Sequence, residues 1–294
     1  MQAPDWKSAS FEEARSTLKK WREEHARRSE EIVEIWDHVL SRYSGSLKDE
    51  LWPVLEQVTV AALDAARHDL AIGCIQTLDK RFPGSSRVLR LQALRLESLG
   101  NFEDASYLYD KLLEADETNT ICRKRKITML IAKGDRVEAI RQLNEYLTTF
   151  VNDTEAWLQL GELFLQESDL PRAVFCFEEL LLTSPNNPSF LCRLAEIRYS
   201  QGGQDNVEIA RVYYEKAAKI VPTASSLYGI ILCSNYLLPK ATSQKKKELI
   251  SSAQNAADQL IELHDTESAE SATVDRQINL VKELKSLFKS GSFS

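Results

Sequence analysis

The stretch that decides the fold is Thr154-Glu155-Ala156-Trp157-Leu158-Gln159-Leu160-Gly161-Glu162-Leu163-Phe164, followed by Ala173, Phe177 and Pro185. It combines a tryptophan, a Leu-Gly pair and an aromatic residue with a small residue, a second aromatic and a proline at set offsets. Stepping back from Ala173 by 34 residues lands on Ala139, then Ala105, then Ala71. Four residues after each alanine stands a large side chain: Ile75, Tyr109, Leu143 and Phe177. Three further on stand Leu78, Leu112, Tyr146 and Leu180.

Such spacing is the pattern of the tetratricopeptide repeat, and the chain resembles that family over roughly 51–222. A fifth unit has Ala210, Tyr214, Ala217 and Pro222 at the same internal spacing. Its alanine falls 37 residues after Ala173, so three extra residues are expected in a loop around Gly202-Gly203-Gln204-Asp205-Asn206.

Each unit should be two antiparallel helices joined by a short turn, with Gly100 and Gly134 marking two turns. The alanine belongs where the helices come closest, because a longer side chain would overpack the contact. The residue four positions on shares that face and fills the gap beside it. A proline closes the second helix, although Glu117 and Val151 stand where the pattern favours one. The tryptophan occurs in the fourth unit alone, and the earlier first helices match loosely. No unit can bury its apolar face alone, so the units must stack.

Helices are expected beyond both ends of the repeats. Ser10 and Glu13 form a capping-box pair before the stripe Phe11, Ala14, Leu18 and Trp21. A second helix follows Ser29 as its cap, with Glu30 and Glu31 at its positive end. Its stripe is Ile32, Ile35, Trp36, Val39, Leu40 and Tyr43, and Ser44-Gly45-Ser46 makes a break. After Pro222 a further pair spans 225–238 and 243–263. An acidic loop over 264–271 should lead to a last helix bearing Val274, Ile278, Val281, Leu284 and Phe288, and Gly291–Ser294 should fray. The expected fold is therefore all-α: a right-handed superhelix of five repeats over 51–222, with helical caps over 1–50 and 223–294.

Composition agrees with this. Of the 294 residues, 43% are hydrophobic and 28% charged, with only 10 glycines and 8 prolines, too few for a chain dominated by turns. A net charge of −7 argues against general affinity for nucleic acid. The start Met1-Gln2-Ala3-Pro4-Asp5 has no signal-peptide character, and the longest uncharged run, between Pro222 and Pro239, is too short and polar to span a membrane. No membrane anchor is expected.

Residues for chemistry are scarce. Cys74, Cys122, Cys176, Cys192 and Cys233 are widely spaced and read as buried thiols of a reducing compartment. His25, His38, His68 and His264 are scattered, and no phosphate loop, His-Glu-x-x-His pair or nucleophile elbow occurs. Neither a catalytic residue, a metal nor a cofactor is expected. Trp157 reads as inter-helix packing rather than ligand stacking. Arg123-Lys124-Arg125-Lys126 is a short basic run, compatible with a localisation patch or a solvated helix face, and Lys245-Lys246-Lys247 reads as a solvated helix start. Residues 120–153 carry seven basic and four acidic side chains, and residues 154–187 one basic and six acidic. Neighbouring units of opposite sign suggest a groove with polarised ends that would orient a bound segment.

A narrower resemblance spans about residues 20–217. Lys20-Trp21-Arg22-Glu23-Glu24, Arg28-Ser29-Glu30-Glu31-Ile32-Val33-Glu34, Leu143-Asn144-Glu145-Tyr146-Leu147, Glu155-Ala156-Trp157, Phe175-Cys176-Phe177-Glu178-Glu179-Leu180 and Gln201-Gly202-Gly203 together resemble subunit 2 of the endoplasmic reticulum membrane protein complex. That resemblance implies a peripheral scaffold on the cytosolic face of the endoplasmic reticulum. It would bind cytosolic segments of the membrane-spanning subunits and an MPN-fold subunit, and support insertion of transmembrane segments, tail-anchored proteins included.

A second reading is a soluble co-chaperone adaptor for the C-terminal tails of heat-shock chaperones. Such grooves present Lys and Asn at the fifth and ninth positions of successive first helices. Here those positions hold Glu56 and Val60, Arg90 and Leu94, Lys124 and Thr128, Leu158 and Glu162, so the paired clamp is absent. Arg90, Lys124, Arg125, Thr128, Leu158 and Glu162 are the candidate partner-binding positions. An RNA-processing scaffold ranks third, against the acidic charge, and an enzyme last.

Overall fold

The computed structural model of the protein describes Trp6, residues 9–267, 280–283, 285 and 286. Among the described residues there is no β-strand. The chain divides into two compact units at the Asp135–Arg136 bond.

In the first unit, α1 (Phe11–Glu23) and α2 (Ser29–His38) precede a 3₁₀ segment, Leu40–Glu50. Two hairpins follow, α3 (Leu51–Asp64) with α4 (His68–Arg81) and α5 (Ser86–Ser98) with α6 (Phe102–Ala115), and then α7 (Thr120–Lys133). The second unit opens on α8 (Arg136–Thr149). It continues with the hairpins α9 (Thr154–Gln166) and α10 (Leu170–Thr183), α11 (Pro188–Gln201) and α12 (Gln204–Ile220), and α13 (Ala224–Leu237) and α14 (Ser243–Glu267). The two helices of the third repeat thus fall one in each unit.

The alanine ladder is the spine of both cores. Ala71, Ala105, Ala139, Ala173 and Ala210 are all fully buried, and Ile75, Tyr109, Leu143, Phe177 and Tyr214 are buried beside them. First helices are as regular as second ones, despite their looser sequence match. Second helices stop in phase at Arg81, Ala115, Thr149 and Thr183 whether or not a proline follows two residues on. Proline is therefore not what ends them. After α6, for instance, Asp116 simply turns to an extended conformation (φ −149°, ψ 95°).

The turns share one geometric demand. Position 66 and its repeats at 100, 134 and 168 all lie in the left-handed region, at φ 55°, 76°, 83° and 59°. Gly100 and Gly134 meet this freely, whereas Ala66 and Ser168 hold their Cβ against the following carbonyl. Ala66→Gly should accordingly raise stability by about 0.5–1 kcal/mol, the relief of strain being partly offset by the entropy of the unfolded glycine. Thermal melts of Ala66→Gly beside Gly134→Ala measure this, and the two midpoints should move in opposite directions.

The fifth repeat departs from expectation. Its three extra residues are not in a loop: the turn is only Gly202 and Gly203, both at positive φ, and α12 has 17 residues where α10 has 14. The insertion is absorbed as nearly one more helical turn at the start of α12, and Val207 takes up the fully buried fourth position held elsewhere by alanine. Helix continues there because Asp205, Asn206 and Val207 can satisfy the ladder while presenting an apolar side chain to the core.

At the N-terminal end, Ser10 caps α1 as expected, its Oγ accepting from the Glu13 amide at 3.3 Å, and Ala14, Leu18 and Trp21 are buried. Ser29 does not cap α2. It is the first helical residue, and its hydroxyl donates to Asp64 at 2.7 Å, where Arg27 also pairs. The Arg27 guanidinium beside Asp64 holds that carboxyl below its ordinary pKa. The stripe of α2 is buried through Leu40, but Tyr43 is exposed, because the chain leaves α-helix at His38 and Tyr43 is non-helical inside the 3₁₀ segment. The irregular residues are Tyr43 and Lys48, not Ser44–Ser46.

At the other end α14 continues through Glu267, so the loop expected from His264 begins no earlier than residue 268. Val281 is fully buried against the C-terminal core. Val274, Ile278, Phe288 and the Gly291–Ser294 tail lie outside the described residues, as does Leu284.

Candidate partner-binding surface

No group of three or more His, Cys, Asp or Glu is placed to hold a metal among the described residues. All five cysteines are free and buried, and burial pushes the thiols of Cys176 and Cys233 up to about 12 and that of Cys74 to about 11. None offers a thiolate at neutral pH. A cleft of about 280 Å³ between α2, α3 and α4 is lined by Trp36, Leu55, Arg67 and Cys74, but Arg67 there already pairs with Asp37 and Asp69.

The candidate positions lie on the first helices and are best followed unit by unit. In the first unit, ion pairs join neighbouring first helices. Arg87 on α5 reaches Glu56 on α3 at 2.5 Å, and Arg125 on α7 grips Glu97 on α5 with Nη2 at 2.5 Å and Nε at 3.1 Å. The Tyr109 hydroxyl from α6 donates to the same Glu97 at 3.1 Å, and burial pushes its phenol well above the ordinary pKa. Glu97 therefore ties three helices together. Arg90 is half-buried on the same stripe as Arg87, while Thr128 turns its hydroxyl back to the Lys124 carbonyl at 2.9 Å.

This also accounts for most of the basic run. Arg123 donates to the Glu117 carbonyl, Arg125 to Glu97, and Lys126 pairs with Asp110 on α6. The run braces α7 within its own unit instead of standing out as a flexible localisation patch.

In the second unit Glu162 on α9 accepts two hydrogen bonds from Arg193 on α11, at 2.9 and 2.7 Å, and Arg193 also pairs with Glu196. Glu196 in turn accepts from Ser225 on α13. Leu158 is exposed beside this seam. Trp157 packs its ring edge-on against Phe175 of α10, centroids 5.9 Å apart, and its Nε1 donates to the Val151 carbonyl at 2.7 Å. Gly161 admits the Phe177 ring so closely that a Cβ there would lie 2.8 Å from Cε2. Lys245 pairs with Glu208, whereas Lys246 and Lys247 are exposed.

Of the candidates, Arg125 and Glu162 are thus committed to neighbouring first helices, a pairing that spacing alone did not reveal. The missed residues are Glu97 and Arg193, and the available signal was a charge of opposite sign about 28–31 residues away.

Comparison with known proteins places this geometry in a family. Residues 79–208 match the family model described as the EMC2 TPR-like repeat domain. The ER membrane protein complex subunit 2-A of Xenopus laevis is 42% identical over 254 residues, covering 85% of this chain and 86% of the frog protein. The chain belongs to the ER membrane protein complex subunit 2 family. Another subunit 2, from Dictyostelium discoideum, is 29% identical over 80% of this chain and 77% of its own length. Among solved structures, the C-terminal part of a TPR repeat-containing protein from Cytophaga hutchinsonii aligns with a TM-score of 0.56 at 18% identity, covering 88% of this chain and 97% of that one. That likeness is one of fold. As a member of the subunit 2 family the chain is a subunit of the ER membrane protein complex with an all-α tetratricopeptide-repeat fold, and among its described residues no helix is long and apolar enough to cross a membrane.

Proposed function

We propose that this chain is a non-catalytic scaffold at the cytosolic face of the endoplasmic reticulum, holding other subunits of the complex while transmembrane segments are inserted. The observation that carries the reading is the 42% identity to the frog subunit 2-A across most of both chains. The first helices support it, since ion pairs join neighbouring ones side by side and Val60 and Leu158 stand exposed along them. The five repeats over 51–222 bind cytosolic segments of the spanning subunits and an MPN-fold subunit, with Arg90, Lys124, Thr128 and Leu158 among the contact positions. Residues 1–50 and 223–294 cap the stack. The co-chaperone reading gains nothing, because Val60, Leu94, Thr128 and Glu162 provide no asparagine for a terminal carboxylate.

Attachment to the membrane then runs through protein contacts. In cell fractions the chain should sediment with endoplasmic reticulum membranes after gentle lysis and be released by alkaline carbonate. It should become soluble or scarce when the spanning subunits are depleted, because unassembled docking surfaces invite degradation. Retention in the pellet after carbonate, or an abundant soluble pool indifferent to those subunits, would count against it.

A further inference from the structure

Two turns between consecutive repeats share one hydrogen-bonding plan, and one carries a hydroxyl where the other carries a carboxylate. After α6, the Asp116 amide donates to the Leu112 carbonyl at 3.1 Å and the Asn119 amide to the Asp116 carbonyl at 3.2 Å. After α10, two 34-residue steps on, the Ser184 amide donates to the Leu180 carbonyl at 3.0 Å and the Asn187 amide to the Ser184 carbonyl at 3.2 Å. Backbone angles agree as well, φ −149° and ψ 95° at Asp116 against φ −137° and ψ 72° at Ser184. The Asp116 carboxylate accepts from the Thr118 amide at 3.0 Å and from its hydroxyl at 2.7 Å, so this turn admits an anion. Ser184 presents its hydroxyl at the same place, flanked by exposed Thr183, Pro185 and Asn186. The Lys216 ammonium of α12 lies over the turn, donating to the Pro185 carbonyl at 2.9 Å. Ser184 is also the one serine or threonine of the sequence that precedes any of its 8 prolines.

We propose that Ser184 is phosphorylated by proline-directed protein kinases and that Lys216 takes hold of the phosphate. Such kinases select a hydroxyl residue followed by proline, a pair in which the proline offers no N–H and keeps its neighbour out of the helical region. The Ser184 Oγ attacks the γ-phosphorus of ATP, ADP leaves, and the hydroxyl proton passes to the kinase. The product carries about two negative charges at the end of α10, where the helix dipole opposes them. Asp116 shows that the end of α6 holds an anion in the same geometry. At Ser184 the Lys216 ammonium, bound one residue away, offsets the dipole through a charge-assisted hydrogen bond. Phosphorylation therefore fastens α12 to the α10–α11 turn instead of melting it. The inference goes beyond the scaffold reading, and neither depends on the other.

The test incubates the folded full chain with a proline-directed kinase and ATP, then fragments the tryptic peptide 173–193 in a mass spectrometer. One phosphate is expected on Ser184 and none on Thr183 or Ser189, which lie in the same peptide. It should be lost in Ser184→Ala and in Pro185→Ala and kept in Ser184→Thr, with circular dichroism establishing that each variant is folded. Should Pro185→Ala fail to fold, Ser184→Thr against Ser184→Ala carries the comparison. In thermal melts the phosphorylated chain should unfold at or above the midpoint of the unphosphorylated one. Phosphorylated Lys216→Ala should instead unfold below its own unphosphorylated form. The site is overturned by absence of phosphate on the folded chain, by labelling that appears only in urea, or by phosphate on Thr183 or Ser189 in its place. The role of Lys216 is overturned if phosphorylation lowers the parent midpoint, or if Lys216→Ala shifts as the parent does. Co-sedimentation with membranes is read separately, so a failed kinase experiment leaves the scaffold reading standing.

Discussion

Phe177→Ala is expected to destabilise the second unit by about 3–5 kcal/mol, the range for deleting a buried aromatic ring from a close-packed core. Phe177 is fully buried, four residues beyond Ala173, and its ring lies against Gly161, where even a methyl group would press upon it. The surroundings cannot collapse into the space, because Ala173 and Gly161 carry almost no side chain to move. Each hairpin is also stabilised by its neighbour, so a cavity in α10 weakens the stacking of α9 and α11 as well. Urea unfolding followed by circular dichroism measures the loss. A midpoint within error of the parent would show that the ring is not the wedge between these helices.

Glu97→Ala should cost about 2–3 kcal/mol, more than an ordinary surface ion pair is worth. The carboxylate is only 11% exposed and accepts from Arg125 and from the Tyr109 hydroxyl, so its removal leaves a guanidinium and a buried phenol without their acceptor. Arg125 is 37% exposed and recovers some hydration, which keeps the figure below that of a fully buried pair. The double variant Glu97→Ala with Arg125→Ala should be less destabilised than the two single losses added together, since the pair is then absent rather than broken. Equal thermal midpoints for Glu97→Ala and the parent would contradict the three-helix tie.

The period of the alanine ladder was legible without coordinates, because a buried contact between two helix backbones tolerates only a small side chain and so leaves its mark on one position per repeat. Turns at Gly100 and Gly134 were legible for a similar reason: a left-handed residue favours glycine. The same geometry at Ala66 and Ser168 was not, since a modest strain is outweighed there by the packing of the flanking helices. Family membership was legible from long segments, whereas which charges pair was not.

What the sequence by itself determined is therefore the repeat, the helical class, the buried positions and the family, all properties carried by local period or by extended identity. Tertiary structure alone decided that three inserted residues lengthen α12 instead of looping out, and that Ser29 serves Asp64 rather than capping its own helix. It alone decided that Arg125 and Glu162, each a candidate to meet a partner, are occupied by Glu97 and Arg193. Burial of small and apolar groups is imposed residue by residue along one helix, so it is written in the local pattern. A charged side chain on a stacked hairpin instead chooses among groups about thirty residues away, and only the packed helices bring one of them within reach.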